Sequence, residues 1–170
     1  MSYIIIGNII ALVASILMVY SGTIKNKKKI IYVQTIQIGL FVLSNIVLGG
    51  ITGAIINTLS LVRNILCYKD KLKLKAKIII SLLAIILSLK YNNMGLIGLL
   101  PLICTITYIW LMNIKNIIHF KILIIATMIM WGTYDLYIKS YTSAIFDFAN
   151  VIANYITIIQ IKKKAYIKSI

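Results

Sequence analysis

Polar side chains recur at helical spacing in two apolar stretches of the sequence. The first set is Gly53, Asn57, Ser60 and Asn64. The second set is Ser143, Asp147, Asn150 and Asn154. Spacings of three and four residues place each set along one face of a helix. A carboxyl group such as that of Asp147 costs about 2.5–3.5 kcal/mol inside an apolar span on insertion scales, so it is a functional-site candidate.

These residues predict a cavity for a small polar solute. Asn57 and Asp147, facing each other, would offer hydrogen-bond donors and acceptors, and Phe41 and Trp131 would supply apolar walls. We assign Asn64, Asn150 and Asn154 to the same substrate-binding set. The alternative is that the polar stripes only join helices, because a hydrogen bond between membrane helices averages about 0.6 kcal/mol. That alternative is favoured for Gly53, Ser60 and Ser143.

Other chemistries find no support in the residue pattern. Cys67 and Cys104 do not form a metal-binding spacing, and His119 is the only histidine. Zinc sites and Cys/His or Ser/His/Asp nucleophiles need such residues in combination. The sequence therefore predicts no catalytic residue, no metal and no cofactor, and an enzyme is the least favoured class.

Composition indicates the membrane as the solvent of this chain. Of its 170 residues 61% are hydrophobic, against about 45–50% in soluble domains. The net charge of +15 would suggest nucleic acid in a soluble protein, but here the lysines lie between long apolar stretches. That arrangement suits membrane orientation and contact with anionic lipid headgroups, so nucleic acid is not predicted as a partner. The first stretch, 3–20, lacks the basic start and cleavage pattern of a signal peptide and is interpreted as a retained helix.

Seven membrane-spanning helices position these residues in the predicted all-α fold. They are 2–20, 30–48, 52–68, 76–89, 94–112, 120–138 and 142–161. With the amino terminus outside and the carboxyl terminus cytoplasmic, the lysine-rich segments around 25–29, 69–77, 115–121 and 162–168 all lie inside. Six spans would break this rule in half of the chain. Arg63 is interpreted as an anchor in the inner leaflet, and Asp135 as a site or interfacial residue.

The sequence also contains an internal repeat. Shifting it by 90 residues brings helices one to three onto helices five to seven, with Asn57 on Asp147 and Asn64 on Asn154. The predicted units are 1–75, a linker helix over 76–92, and 93–170 with a basic cytoplasmic tail. One helix between the halves makes the repeats parallel, a design of small transporters with a site between the halves. Pro101, within the predicted fifth helix, would loosen a backbone hydrogen bond and form a hinge.

With this three-plus-one-plus-three plan, and an aromatic residue 16 positions before Asn57 and before Asp147, the chain resembles the SWEET, PQ-loop and PnuC group of small transporters. As a whole it resembles the YgjV-type bacterial inner membrane proteins. The resemblance implies two three-helix bundles that rock to give alternating access. It also implies central polar contacts at Asn57 and Asp147, flanking aromatics at Phe41 and Trp131, and a gating proline at Pro101.

The chain departs from that group at several positions. Ala11 stands where the first repeat would have a gating proline, the Pro-Gln pair is absent, and Asp147 replaces an expected Asn. Neither a sugar nor a vitamin is therefore predicted as the solute. The sequence predicts a passive or proton-coupled facilitator of a small polar solute, with a non-transporting membrane scaffold as the alternative. It leaves the oligomeric state open, a homo-oligomer included.

Overall fold

The computed structural model describes residues 2–47, 51–92, 95–137 and 141–167, and the regular secondary structure in these residues is all helical. Seven α-helices follow in chain order, with a 3₁₀ turn at Ile97–Leu99 before the fifth. They are α1 Ser2–Thr23, α2 Lys27–Val47, α3 Ile51–Tyr68, α4 Leu74–Tyr91, α5 Leu100–Leu111, α6 Ile117–Tyr137 and α7 Tyr141–Ile167. The prediction of an all-helical chain with seven helices is confirmed. The outer turns at 48–50 and 138–140 lie outside the described residues, as does the packing of Gly53.

Two asparagines cap the helices that follow lysine-rich turns. The Asn26 side-chain oxygen accepts a hydrogen bond from the backbone N–H of Lys29 at 3.1 Å. The Asn116 oxygen accepts from the N–H groups of Ile118 at 2.8 Å and His119 at 3.3 Å. Such bonds satisfy donors that the first turn of a helix leaves without partners. The turns before α2 and α6 therefore end in the same way.

The turn between α3 and α4 is fixed by Asp70, whose φ of 54° lies in the left-handed region. The Asp70 N–H donates to the carbonyl of Cys67 at 3.1 Å, and the Lys71 N–H donates to that of Leu66 at 2.7 Å. This pair of bonds is the Schellman motif that ends many helices, usually with glycine at the left-handed position. The turn returns the chain directly into α4, which is 18 residues long.

Pro101 does not interrupt a helix, contrary to the prediction. It lies in the first turn of α5, after the 3₁₀ turn Ile97–Leu99. Proline at that position loses no intrahelical hydrogen bond, because the first N–H groups of a helix have no partner within it. A hinge between the 3₁₀ turn and α5 stays a prediction.

The seven helices form a closed ring. Each helix packs against its neighbours in the chain, and α7 returns to pack against α1. Consecutive helices joined by short turns run antiparallel, so alternate turns lie at the same end of the ring. The lysine-rich turns after α1, α3 and α5 and the lysines late in α7 share one end, which we call the basic end.

An apolar cluster packs inside the basic end. Its buried members are Ile30, Ile31, Cys67, Leu72, Ile80, Tyr108, Ile109, Met112, Phe120, Leu123 and Ile124. They come from the first halves of α2, α4 and α6, the ends of α3 and α5, and the turns that follow α3 and α5. Parts of five helices thus meet near the lysine-rich turns.

The surface of the ring is apolar and much of its buried interior is polar. Ile9, Ile16 and Leu82 are more than half exposed, whereas Asn64, Lys121 and Asn154 are fully buried. Large apolar side chains face outward where water would disfavour them, and polar groups face the interior. This distribution suits a protein that is surrounded by lipid.

Four described helices are long and apolar enough to cross a membrane. Their qualifying segments are Ile5–Thr23, Lys27–Val47, Ile117–Tyr137 and Ser143–Lys164. Ala54–Tyr68 and Ile97–Leu111 are shorter apolar helices. The chain is thus built as a membrane protein, and the crossing of the bilayer by α3, α4 and α5 stays a prediction.

Candidate functional site

A polar face of α3 becomes more buried along the helix toward the basic end. Asn57 is half-buried, Ser60 is 8% exposed, and Asn64 is fully buried. The seven residues from Asn57 to Asn64 span about 10 Å along the helix axis at 1.5 Å per residue. The predicted helical face therefore exists, and its burial increases toward the basic end.

Arg63 lies at the buried end of this face and is 5% exposed. Its Nε and Nη2 atoms both donate to Oδ1 of Asn64, at 3.0 and 2.9 Å. Its guanidinium carbon lies 4.6 Å from the ring centroid of Tyr108, on α5, and the Tyr108 hydroxyl donates to Gln34, on α2, at 2.8 Å. The interpretation of Arg63 as an inner-leaflet anchor is therefore wrong, because α5 supplies an aromatic face that holds the cation inside.

The polar face of α7 contains a hydrogen-bonded network. Asn154 Nδ2 donates to the Asn150 side-chain oxygen at 2.6 Å, and Asn150 Nδ2 donates to the carbonyl of Met18 on α1. Lys121, on α6, is fully buried and donates to Asn154 Oδ1 at 3.0 Å and to the Gly22 carbonyl at 2.7 Å. The network joins α1, α6 and α7 and surrounds one buried cation with acceptors.

Gly22 allows α1 to approach α7 at this level. A methyl group at its Cα would lie 2.9 Å from the Ala153 Cβ and 2.9 Å from the Asn154 Nδ2. The Gly22 carbonyl also accepts from the Thr157 hydroxyl at 3.0 Å. The glycine is thus required by the close contact that completes the network.

A pair of carboxyl groups lies one or two turns farther from the basic end. Asp147, on α7, is 6% exposed, and its carboxyl group is within hydrogen-bonding reach of that of Asp135, on α6. One carboxyl must hold a proton for such a bond to form. Gly132 brings the helices together here, since an added Cβ would lie 3.2 Å from the Phe148 ring. Asp135 therefore belongs to the interior, not to the interface alone.

The family of the chain follows from a comparison with protein-family models. The model of Imp-YgjV, described as a bacterial inner membrane protein, matches residues 5–165. The chain belongs to the Imp-YgjV family. This confirms the YgjV-type resemblance and agrees with the apolar surface of the ring. The search of curated proteins and the search of solved structures each found no match.

The Imp-YgjV ring brings only some of the predicted site residues together. Asn150 and Asn154 are in contact, whereas the described hydrogen bonds include none between Asn57 and Asp147. Phe41 and Trp131 are half-buried. The Trp131 ring meets that of Tyr134 edge-on at 5.9 Å.

Sequence reasoning missed the two buried cations of this Imp-YgjV protein and the carboxyl partner of Asp147. Arg63 is the only arginine in a lysine-rich sequence, a signal that could have marked it. Lys121 carries no such mark, because it follows a basic turn like many other lysines. Among the described residues, no group of three His, Cys, Asp or Glu side chains could hold a metal ion.

Proposed function

We propose that this Imp-YgjV protein is a facilitator or transporter of a small polar solute that works by alternating access. One observation carries the proposal. The interior of the ring is lined by polar groups that are half-buried at one end, around Asn57 and Asp135, and is packed with the apolar cluster at the basic end. A carrier that is open on one side of the membrane has this asymmetry.

The arrangement of the helices supports two parallel repeats of the kind found in the SWEET and PQ-loop group. In each half the middle helix packs against both others, α2 against α1 and α3, and α6 against α5 and α7. Asn26 and Asn116, 90 residues apart, cap the corresponding middle helices. We therefore propose seven spans in a three-plus-one-plus-three plan, with α4 as the linker helix.

The proposed solute path begins at the half-buried end. Asn57 and the carboxyl pair Asp135–Asp147 would contact the solute through hydrogen bonds, and Phe41 and Trp131 would form apolar walls. The positive-inside rule places the basic end in the cytoplasm, which puts the amino terminus outside and the carboxyl terminus inside. The half-buried end would then face the periplasm.

The test uses purified protein reconstituted into liposomes, with a thermal-shift screen of small polar solutes followed by uptake of those that stabilise the protein. We expect Asn57→Ala and Asp147→Ala to reduce uptake at least tenfold while the protein still inserts. Thr58→Ala is a matched control, because Thr58 is the next residue of α3 and faces outward. A screen without any binding solute, together with unchanged uptake in both variants, would overturn the proposal.

A non-transporting scaffold is the second candidate, and the α7 network favours it. Asn150, Asn154 and Lys121 find partners on neighbouring helices, which is what a purely structural role requires. On the scaffold hypothesis, Asn57→Ala and Asp147→Ala change the abundance or assembly of the protein and have no effect on solute uptake. Measuring membrane abundance beside uptake in the same variants separates the two functions.

A further inference from the structure

Arg63 is a buried cation without a counter-ion. Among the described residues, which include all three aspartates, no carboxylate lies within ion-pair distance of its guanidinium. The hydrogen bonds it makes go to a neutral amide oxygen, that of Asn64. A buried charge is costly unless it is paired, so its environment in this state is incomplete.

The neighbouring amide also has unused donors. Asn64 is fully buried, its Oδ1 accepts both bonds from Arg63, and its Nδ2 has no hydrogen-bond partner. An Nδ2 group carries two N–H donors, and a guanidinium carries five. Arg63 and Asn64 therefore present several donors and one positive charge at the buried end of the α3 face. A group that combines several acceptors with negative charge would satisfy both the donors and the cation.

The second buried cation, Lys121, also lacks a carboxylate partner among the described residues, but its neighbouring amide is fully hydrogen-bonded. Lys121 donates to the Gly22 carbonyl and to Asn154 Oδ1, and Asn154 Nδ2 in turn donates to Asn150. Every one of these partners belongs to the protein. Beside Arg63, by contrast, Asn64 Nδ2 has no acceptor within the protein, so this environment has room for an acceptor from a bound solute.

We propose that Arg63 and Asn64 bind the oxyanion group of a small solute, and that a monocarboxylate is the class that matches one positive charge. The guanidinium fork fits two carboxylate oxygens, and Asn64 Nδ2 adds a further donor. The proposal rests on the proposed function, because the solute must reach a side chain that is 5% exposed. The way in runs from Asn57 past Ser60, about 10 Å along α3.

The Tyr108 ring holds the guanidinium until the solute arrives. It lies 4.6 Å from the Arg63 carbon, and its hydroxyl is fixed by Gln34 on α2. The ring contact uses the face of the guanidinium, so it does not occupy the N–H groups that Asn64 Oδ1 leaves over. Because Tyr108 is also part of the apolar cluster at the basic end, binding at Arg63 would act directly on that cluster.

The experiment measures the thermal shift of the purified full-length protein in detergent with sodium acetate, sodium phosphate, glycerol or methylammonium chloride. Sodium chloride keeps the ionic strength constant. We expect acetate to stabilise the wild type beyond the chloride control, and glycerol and methylammonium to have no such effect. A phosphate effect stronger than that of acetate would support the oxyanion site and overturn the monocarboxylate assignment.

Three variants test the residues. Arg63→Gln should weaken acetate binding by about ten- to a hundredfold, the range of a charge-assisted hydrogen bond. Asn64→Asp places a carboxylate beside the guanidinium, so it should raise the melting temperature and remove the acetate effect. The control is Lys115→Gln, which removes one positive charge from an exposed position near the basic end. It should leave the stabilisation by acetate unchanged.

The outcomes separate this inference from the proposed function. Protein-dependent flux of a neutral solute into liposomes, without any acetate effect, would leave the proposed function standing and overturn the anion site. Acetate binding that depends on Arg63, without flux of any solute, would support the anion site and overturn the proposed function. An acetate effect that survives in both Arg63→Gln and Asn64→Asp would also overturn the site.

Discussion

Replacing Gly22 by alanine should separate α1 from α7. The added methyl group would lie 2.9 Å from the Ala153 Cβ and 2.9 Å from Asn154 Nδ2, with the Asn150 carbonyl oxygen at 3.3 Å. Real Cβ atoms do not approach other heavy atoms closer than about 3.0 Å, so the helices must move apart. Overpacking of this kind typically costs about 1–3 kcal/mol of folding free energy.

The movement would also weaken the bonds that end on Gly22. Its carbonyl accepts from Lys121 Nζ at 2.7 Å and from the Thr157 hydroxyl at 3.0 Å. A hydrogen bond to a charged group contributes about 1.5–3 kcal/mol. The substitution also stabilises α1 by about 0.5–1 kcal/mol, because alanine is a better helix former than glycine. We therefore expect Gly22→Ala to destabilise the protein by about 2–4 kcal/mol in total.

Gly39 is the matched control, because it lies inside α2 and an added Cβ would meet nothing within 4 Å. Gly39→Ala should stabilise the protein by about 0.5–1 kcal/mol through helix propensity alone. The assay is unfolding of both purified variants in mixed detergent and SDS, followed by circular dichroism at 222 nm. Equal effects of the two substitutions would refute the close contact of α1 and α7.

Other substitutions test separate features. Asp70→Gly should raise the free energy of unfolding by about 1 kcal/mol in the same assay, since glycine adopts the left-handed turn without strain; a loss of stability would contradict that geometry. Asn57→Cys should react with a maleimide that cannot cross the membrane, whereas Asn64→Cys should not, and the two natural cysteines are buried; equal labelling would refute the burial gradient. Asp147→Asn should keep a hydrogen bond to Asp135 and near-native stability, whereas Asp147→Leu should lose about 1–3 kcal/mol; equal losses of stability in the two variants, measured by the same unfolding assay, would contradict the pair.

The sequence predicted those parts of the site that depend on position along a single helix. Asn57, Ser60 and Asn64 do share a face of α3, because a period of 3.6 residues determines which side chains align. The face of α7 with Asn150 and Asn154 was predicted in the same way. The seven helices could be predicted as well, since length, hydropathy and the placement of charge are properties of continuous segments.

Contacts between helices could not be predicted in the same way. The prediction that Asn57 and Asp147 face each other stays a prediction, whereas the contact of the Asp147 carboxyl group with Asp135 on the neighbouring helix was not predicted at all. That contact depends on how closely α6 approaches α7, which Gly132 decides. Arg63 was misinterpreted for a related reason. A cation near a helix end normally extends to the headgroups, whereas Arg63 packs inside against Tyr108, a residue of another helix.

Two asparagines at positions related by the proposed repeat have different surroundings. Asn64 and Asn154, 90 residues apart, each accept a hydrogen bond from a buried cation, Arg63 in one case and Lys121 in the other. Around Asn154 the amide nitrogen and the lysine both find acceptors within the protein, whereas Asn64 Nδ2 has none. If the proposed repeat is correct, one copy of this position holds the fold, and the other copy is free to leave its donors open for a ligand. We therefore propose that the solute site lies on the α3 side and that the α7 side has the structural role.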